Sequence, residues 1–255
     1  MQDNLKAKQE KLIKSKERVQ EHGEVFTPVY IVKQMLDQEG IKEACTSLTT
    51  TFLEPAAGEG VFLVEILKRK LEIVKKDYNE NLAQFENYAL LALASLYGIE
   101  LLEDNTKACL LNVYKTFYAY YLKTAREYEA SLKDEVLASA KTIIKANILQ
   151  GDFLTRKTVD GKPLVFSEWQ VVDKDSNDKE LIVSRTEYSL DEIYKEAEAS
   201  PGRIYNGKPL DEKGSQMSLE DLMGAGAELE EDAEYRYLNS KIINVYQEAV
   251  EKVDD

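Results

Sequence analysis

Apolar positions along this chain change their period in a regular order. Residues 1–20 set Leu5, Leu12, Ile13 and Val19 among lysines and glutamates, a thin stripe that predicts a surface-laid helix ending at His22-Gly23. Glu24-Val25-Phe26-Thr27-Pro28 follows, with Thr27 as a cap and Pro28 at the first position of a helix carrying Ile31, Val32, Met35 and Leu36. Thr50 to Leu53 is a β-rich run that ends in Glu54-Pro55-Ala56-Ala57-Gly58-Glu59-Gly60. Val61 to Leu71 then reads as a helix buried on one broad face. Strand, tight small-residue loop and helix in this order open a doubly wound α/β sheet, in which ligands sit beyond the strand carboxyl ends.

The pattern continues with a helix over about 84–95 and a short strand, Leu96 to Glu100. A tyrosine- and leucine-rich helix runs from Glu103 to about Leu122, and helix continues over 126–145. Asn147 to Phe153 predicts a third strand and Pro163 to Phe166 a fourth. Trp169–Val172 and Leu181–Ser184 flank the polar stretch 173–179, which predicts a hairpin. From Asp191 onward periodicity weakens, and Gly224 to Asp232 reads as mobile. The expected organisation is an N-terminal helical extension (1–49), an α/β core (50–190) and an acidic, partly helical C-terminal region (191–255).

Charge alters this picture most. Lys and Arg number 33 and Asp and Glu 47, a net charge of −14 over 255 residues. Residues 1–154 carry 20 basic and 23 acidic side chains, whereas 155–255 carry 13 and 24. Phosphate neutralisation dominates duplex binding, so the acidic C-terminal part argues against independent, tight DNA binding. It fits a solvated region, a surface for a basic protein partner, or a DNA mimic. Cys45, Cys109 and the lone His22 cannot supply a Cys/His zinc cluster, and no metal is expected. Reduced thiols, a polar amino terminus and no apolar run of about 18 residues predict a cytoplasmic protein without a membrane span.

Chemistry concentrates at the predicted strand ends. Gly58 and Gly60 free backbone N–H groups and a helix start to face an anionic or polar ligand. Gly58 to Leu63 spells G-x-G-x-x-L, so neither the dinucleotide fingerprint nor a P-loop is present. Glu54, Glu100 and Asp152 close or follow three successive strands and would line one crevice. A carboxylate after the second strand can take ribose hydroxyls, and one after the third can accept from an adenine amine, with Phe153 beside it to stack. A polar loop ending in acids for solvation alone is the competing explanation of any one of them.

These residues carry a family resemblance. Phe26-Thr27-Pro28 resembles the F-T-P motif of adenine-N6 DNA methyltransferases, and Glu54 to Leu63 resembles their motif I, [DE]-P-x-x-G-x-G-x-F-L. Tyr97-Gly98-Ile99-Glu100-Leu101 is similar to their second motif and Gly151-Asp152-Phe153-Leu154 to their third. Glu17 to Pro28 is especially similar to the modification subunits of restriction-modification systems, and the likeness covers about residues 16–155. The resemblance implies a Rossmann-like methyltransferase fold with S-adenosyl-L-methionine as cofactor. Glu54, Pro55, Ala56, Gly58 and Gly60 would then hold its methionine part. Glu100 and Leu101 would hold the ribose, Asp152 and Phe153 the adenine, and Thr27 and Pro28 would close over the methionine end.

The family's catalytic tetrapeptide, Asn/Asp/Ser-Pro-Pro-aromatic, is absent, because none of the five prolines are adjacent. Ser167-Glu168-Trp169-Gln170 stands where it is expected, so Ser167 and Trp169 are the candidate catalytic pair, or Trp169 is an apolar anchor of the hairpin. Only about 85 residues follow Trp169, with a strong acidic excess, fewer than a target-recognition region needs. Three readings result. One is a methyltransferase reaching DNA through a partner subunit that supplies recognition. Another is a catalytically inactive cofactor-binding subunit or decoy, regulatory or anti-restriction. The last is a methyltransferase with a non-DNA acceptor.

Overall fold

The computed structural model describes residues 13–175, 179–207 and 234–253. The predicted mobile stretch 224–232, and most of the predicted helix at 1–20, lie outside the described residues. The fold is mixed α/β around a three-stranded parallel sheet. Its N-terminal part supplies α1 (Lys16–His22), α2 (Val29–Leu36) and α3 (Ile41–Ala44). The sheet consists of β1 (Phe52–Glu54), β2 (Leu96–Glu100) and β3 (Ile148–Gln150), in spatial order β1-β2-β3. Between them run α4 (Val61–Asp77), α5 (Leu82–Ala94), α6 (Glu103–Glu127) and α7 (Asp134–Asn147). Glu54 pairs with Gly98 across the first ladder, and Gly98 with Ile148 across the second, so β2 is the central strand.

Alternation along β2 decides what covers each face. Gly98 presses on α4: a Cβ there would stand 2.9 Å from Leu63 Cδ1, so only glycine permits this approach. Tyr97 and Ile99 face the other way, into a cluster with Leu164, Phe166 and Leu190. The principal core is larger and joins Leu63, Leu67 and Leu71 of α4 to Phe85 of α5, Phe117 of α6 and Ile143 of α7. No described helix is long and apolar enough to cross a membrane.

Two predicted features differ in detail. Pro28 is itself the cap of α2, and its carbonyl accepts from the Ile31 and Val32 amides at 3.0 and 3.1 Å. The expected continuous helix over 126–145 is broken between α6 and α7. There Glu129 adopts φ 52°, and the Tyr121 hydroxyl accepts the Lys133 amide at 3.1 Å.

The predicted fourth strand and hairpin are a single unit. β4 (Val165–Lys174) pairs antiparallel with β5 (Leu181–Ser189), and β7 (Ser240–Lys241) adds to β5. This sheet is pinned to the parallel one through the Ser167 backbone. Its carbonyl accepts from Tyr97 Oη at 3.0 Å, and its amide donates to Asn147 Oδ1 at 3.1 Å. α8 (Leu190–Tyr194) follows β5 directly, capped by Ser189 and Glu192. β6 (Tyr235–Tyr237) and β8 (Val250–Lys252) form a separate antiparallel pair. The 3-10 helix Ile242–Gln247 returns to the principal core, where Ile242 and Val245 are buried.

A lysine sits wholly inside. Lys70 of α4 is 0% exposed and donates to the Ser47 and Thr50 carbonyls at 2.7 Å each, with its ammonium over the Phe52 ring. Burial pulls its pKa down from 10.5 to about 8, with Cys45 opposing. Between those values the unfolded chain binds the extra proton, so this residue makes stability rise with pH. The buried Cys109 thiol, pushed up to about 12, acts in the opposite sense above pH 9. We therefore expect urea titrations of the natural protein and Lys70→Met to diverge between pH 8 and 10. The natural protein should gain about 1 to 2 kcal/mol relative to the variant. A constant difference would show that Lys70 is charged in both states.

Candidate functional site

The carboxyl ends of the three parallel strands open on one crevice of about 620 Å³. Of the sequence-predicted ligand residues, Thr27, Glu54, Pro55, Ala56, Gly58, Glu100, Leu101, Asp152 and Phe153 line it. Pro28 and Gly60 stand just outside the lining, each next to a residue that belongs to it.

The loop after β1 is shaped by two left-handed residues, Gly58 at φ 53° and Gly60 at φ 84°. The Ala57 amide donates to the Ile99 carbonyl at 2.9 Å and the Gly60 amide to Ala57 at 2.8 Å, which folds the loop back over β2. At Gly60 a Cβ would also meet Cys109 Sγ at 2.6 Å, so α6 leaves no room for a side chain. Gly60 caps α4 without a side-chain hydrogen bond, and there is no acid in the first turn. Val61 and Phe62 of that turn line the crevice. The amino end of a 17-residue helix therefore faces it with its positive dipole end uncompensated.

Glu100 is the centre of the site. It is only 8% exposed, and its Oε2 accepts from the Gly58 amide at 2.8 Å while Oε1 accepts from the Leu102 amide at 3.0 Å. Oε1 also takes a longer contact from Asn105 Nδ2 at 3.4 Å, which leaves Oε2 with a second lone pair for a ligand hydroxyl. The carboxyl of Glu54 is raised by burial, partly offset by the Ala56 amide at 3.2 Å. Asp152 is fixed by an isolated bridge to Lys157, and its Oδ1 accepts from the Leu154 amide at 2.8 Å. Phe153 beside it is half-buried and packs near Tyr194, with ring centroids 6.4 Å apart. None of the residues lining the crevice is basic, and Glu24, Glu54, Glu59, Glu100 and Asp152 are all acidic. The electrostatic preference is for a cationic or hydroxyl-rich ligand over a polyanion.

A network that sequence reasoning missed fastens the N-terminal segment over this crevice. Arg18 of α1 meets Glu24 at 2.5 Å and Asp104, at the start of α6, at 2.8 Å. Lys14 joins Asp104 at 2.9 Å and Glu59 at 3.1 Å. Asn105 Nδ2 donates to Glu24 at 2.6 Å. These contacts carry Phe26 against the loop: a Cβ on Gly58 would lie 3.4 Å from its ring. The available signal was charge, since the first 20 residues are net basic and α6 opens with Glu103-Asp104.

The candidate catalytic pair lies elsewhere. On β4 the side chains of Ser167 and Trp169 alternate to the buried face, away from the crevice. Ser167 Oγ accepts from Arg185 Nε at 2.9 Å, and the Arg185 guanidinium lies over both the Trp169 and Tyr237 rings. Trp169 is 7% exposed and belongs to the principal core. The pair is thus engaged in packing β4 and β5 onto the C-terminal strands, and the apolar-anchor alternative describes Trp169. No family model, no curated protein and no solved structure matches the chain.

The N-terminal fastening depends on two carboxylates. Hydrogen bonds from Arg18 and then Lys14 hold Asp104 well below the usual carboxylate range. Burial raises Glu24, but Arg18 and Asn105 outweigh it and the net direction is down. Depressed carboxylates stabilise fully above their ordinary values near 4, and that stabilisation is lost as pH falls through the lowered ones. Exchange of the Gly23 and Glu24 amides, which donate to the Val19 and Arg18 carbonyls, should stay slow, after correction for intrinsic rates, from pH 7 to 5. It should rise below about pH 4. Asp104→Asn should accelerate it already at pH 7, and unchanged exchange in that variant would remove the network from the account.

Proposed function

We propose that this chain is an S-adenosyl-L-methionine-binding domain of the adenine-N6 DNA methyltransferase type, with a Rossmann-like core, that depends on a partner to methylate DNA. The observation that carries this reading is the single crevice onto which three separate stretches, Val25–Thr27, Glu54–Glu59 and Glu100–Leu102, converge with Asp152-Phe153. The meeting of stretches far apart in sequence at one crevice supports a ligand with several chemically distinct parts.

The fit rests on donors and acceptors. Amides at the α4 start suit the methionine carboxylate, and the acidic walls suit its ammonium and the sulfonium. Glu100 Oε2 offers a lone pair to a ribose hydroxyl, Asp152 can accept from the adenine amine, and Phe153 presents an aromatic edge to the base. The crevice volume lies within the ordinary range for small-ligand sites. When bound, the cofactor supplies an electrophilic methyl group. This chain's own residues bind and orient it, and the Phe26-Thr27 segment limits water access.

Acceptor chemistry is where the partner enters. With Ser167 and Trp169 committed to the core and no basic residue at the crevice, target recognition and the groups contacting the acceptor amine are assigned to a partner subunit. The acidic C-terminal region is a second surface suited to a basic protein partner. Two readings compete with this one: an inactive regulatory or anti-restriction subunit, and a non-DNA acceptor.

Isothermal titration calorimetry with S-adenosyl-L-methionine tests the reading. The natural protein should bind at one site, and Glu100→Gln, compared at a temperature where circular dichroism shows both proteins folded, should bind about 10- to 100-fold more weakly, as expected for lost hydrogen bonds to a charged acceptor. Label from the methyl-labelled cofactor should not reach DNA with this chain alone. Absence of binding in the folded protein would overturn the proposal.

A further inference from the structure

Among the described residues β1 is an edge strand of the parallel sheet. β1 has a single neighbour, β2, and Phe52 and Ala57 donate inward to the Ser95 and Ile99 carbonyls at 2.9 Å each. Alternation then turns the N–H and C=O of Leu53 outward, and neither meets a backbone partner among the described residues. Leu53 itself is 41% exposed. An exposed, unpaired position of this kind on an edge strand can pair with another strand.

A second feature lies beside it. A cavity of about 390 Å³ is lined by Leu53, Tyr97, Phe166, Tyr188, Leu190 and Ile193, on the face of the sheet away from α4. It is mostly apolar, and Ile193 is 46% exposed at its mouth. In a strand laid along β1, the residue opposite Leu53 projects to the same face, and so into this cavity. Glu168 and Glu196 stand at its wall, and no lining residue is basic. Glu168 also adds to the burial that raises the Tyr97 hydroxyl, a sign of local negative potential. The nearby Arg203 is already paired with Glu192 at 2.9 Å.

We propose that the free edge of β1 and the adjoining cavity bind an extended strand of a partner protein, with a large apolar residue opposite Leu53 and a Lys or Arg flanking it toward Glu168 and Glu196. Backbone pairing selects an extended segment over a helix, and the cavity and its acidic wall select the side chains. Residues 208–233 of this chain are themselves rich in Asp and Glu, so charge disfavours them as the occupant. The inference rests on the sheet edge alone and stands whether or not the crevice binds S-adenosyl-L-methionine.

The test uses the intact chain and a phage-displayed library of random dodecapeptides, with Leu53 amide exchange read by NMR. Selected peptides should alternate apolar positions, include an aromatic or long aliphatic residue and a Lys or Arg, and lack proline at the pairing positions. The best should slow Leu53 exchange at least about 10-fold, by the protection expected of a newly paired strand amide. It should bind the exposed-site double variant Glu168→Arg/Glu196→Arg at least about 10-fold more weakly, as for loss of charge complementarity. Peptides that bind without protecting Leu53, or no enrichment at all, would overturn the proposal. So would a Leu53 amide already protected in the chain alone, whether by a dimer seen in sedimentation or by residues 208–233, whose deletion would then speed its exchange. Measured on one sample with calorimetry, cofactor binding without strand capture removes this inference alone, and strand capture without cofactor binding removes only the cofactor reading.

Discussion

A buried carboxylate with two backbone amides on it holds the carboxyl edge of this sheet together. Glu100 ends the central strand, and its two oxygens draw in the Gly58 amide from the loop after β1 and the Leu102 amide from the approach to α6. That bridge acts with the hydrogen bond from the Ala57 amide to the Ile99 carbonyl to set the height of the glycine loop above β2, and so the position from which α4 aims its amino end at the crevice. A carboxylate this buried is stabilised only by such donors, because desolvation opposes its charge. The loop geometry and the acidity of the crevice are therefore two aspects of one arrangement. The N-terminal segment is built onto it in turn: Asn105 contacts both Glu24 and Glu100, and Arg18 extends the network to Asp104.

Leu164 and Phe166 bring β4 across the face of the parallel sheet, against Tyr97, Ile99 and Leu149. β4 does not continue that sheet and pairs antiparallel with β5 instead, in a ladder interrupted only by the irregularity between Val171 and Asp173. The Arg185 cluster then locks this hairpin to the C-terminal strands, with Glu187 accepting from Tyr237 Oη at 2.9 Å and Glu248 meeting Arg185 at 2.5 Å. The crevice at the strand ends and the closure of the fold by β4 and β5 consequently use different residues.

What was legible in the sequence follows from the range of the interactions involved. The β1–loop–α4 unit was readable because its glycines and its helical periodicity are local, and the acids at the strand ends were readable because each follows its own strand. Position along the chain said nothing of Arg18, Asp104 and Asn105 as a fastening, since Arg18 and Asp104 stand 86 residues apart. The break between α6 and α7 had no glycine or proline to announce it, as Glu129 takes the left-handed conformation instead. Placing Ser167 and Trp169 at a catalytic position required β4 to join the parallel sheet. The alternation from Val165 to Lys174 fits either pairing, and only the partner strand β5 decides it.

We propose that one crevice at the strand ends binds a nucleoside-bearing cofactor through Glu100, Asp152 and Phe153. The most direct measurement is a set of intermolecular nuclear Overhauser effects between the labelled chain and S-adenosylhomocysteine, which presents the same adenosine without a reactive methyl group. The account requires contacts from the adenine protons to the Phe153 ring and from the ribose protons to the Glu100 and Leu101 side chains. Contacts confined to Tyr97, Phe166 or Ile193, or a saturating ligand that touches none of the crevice residues, would contradict it.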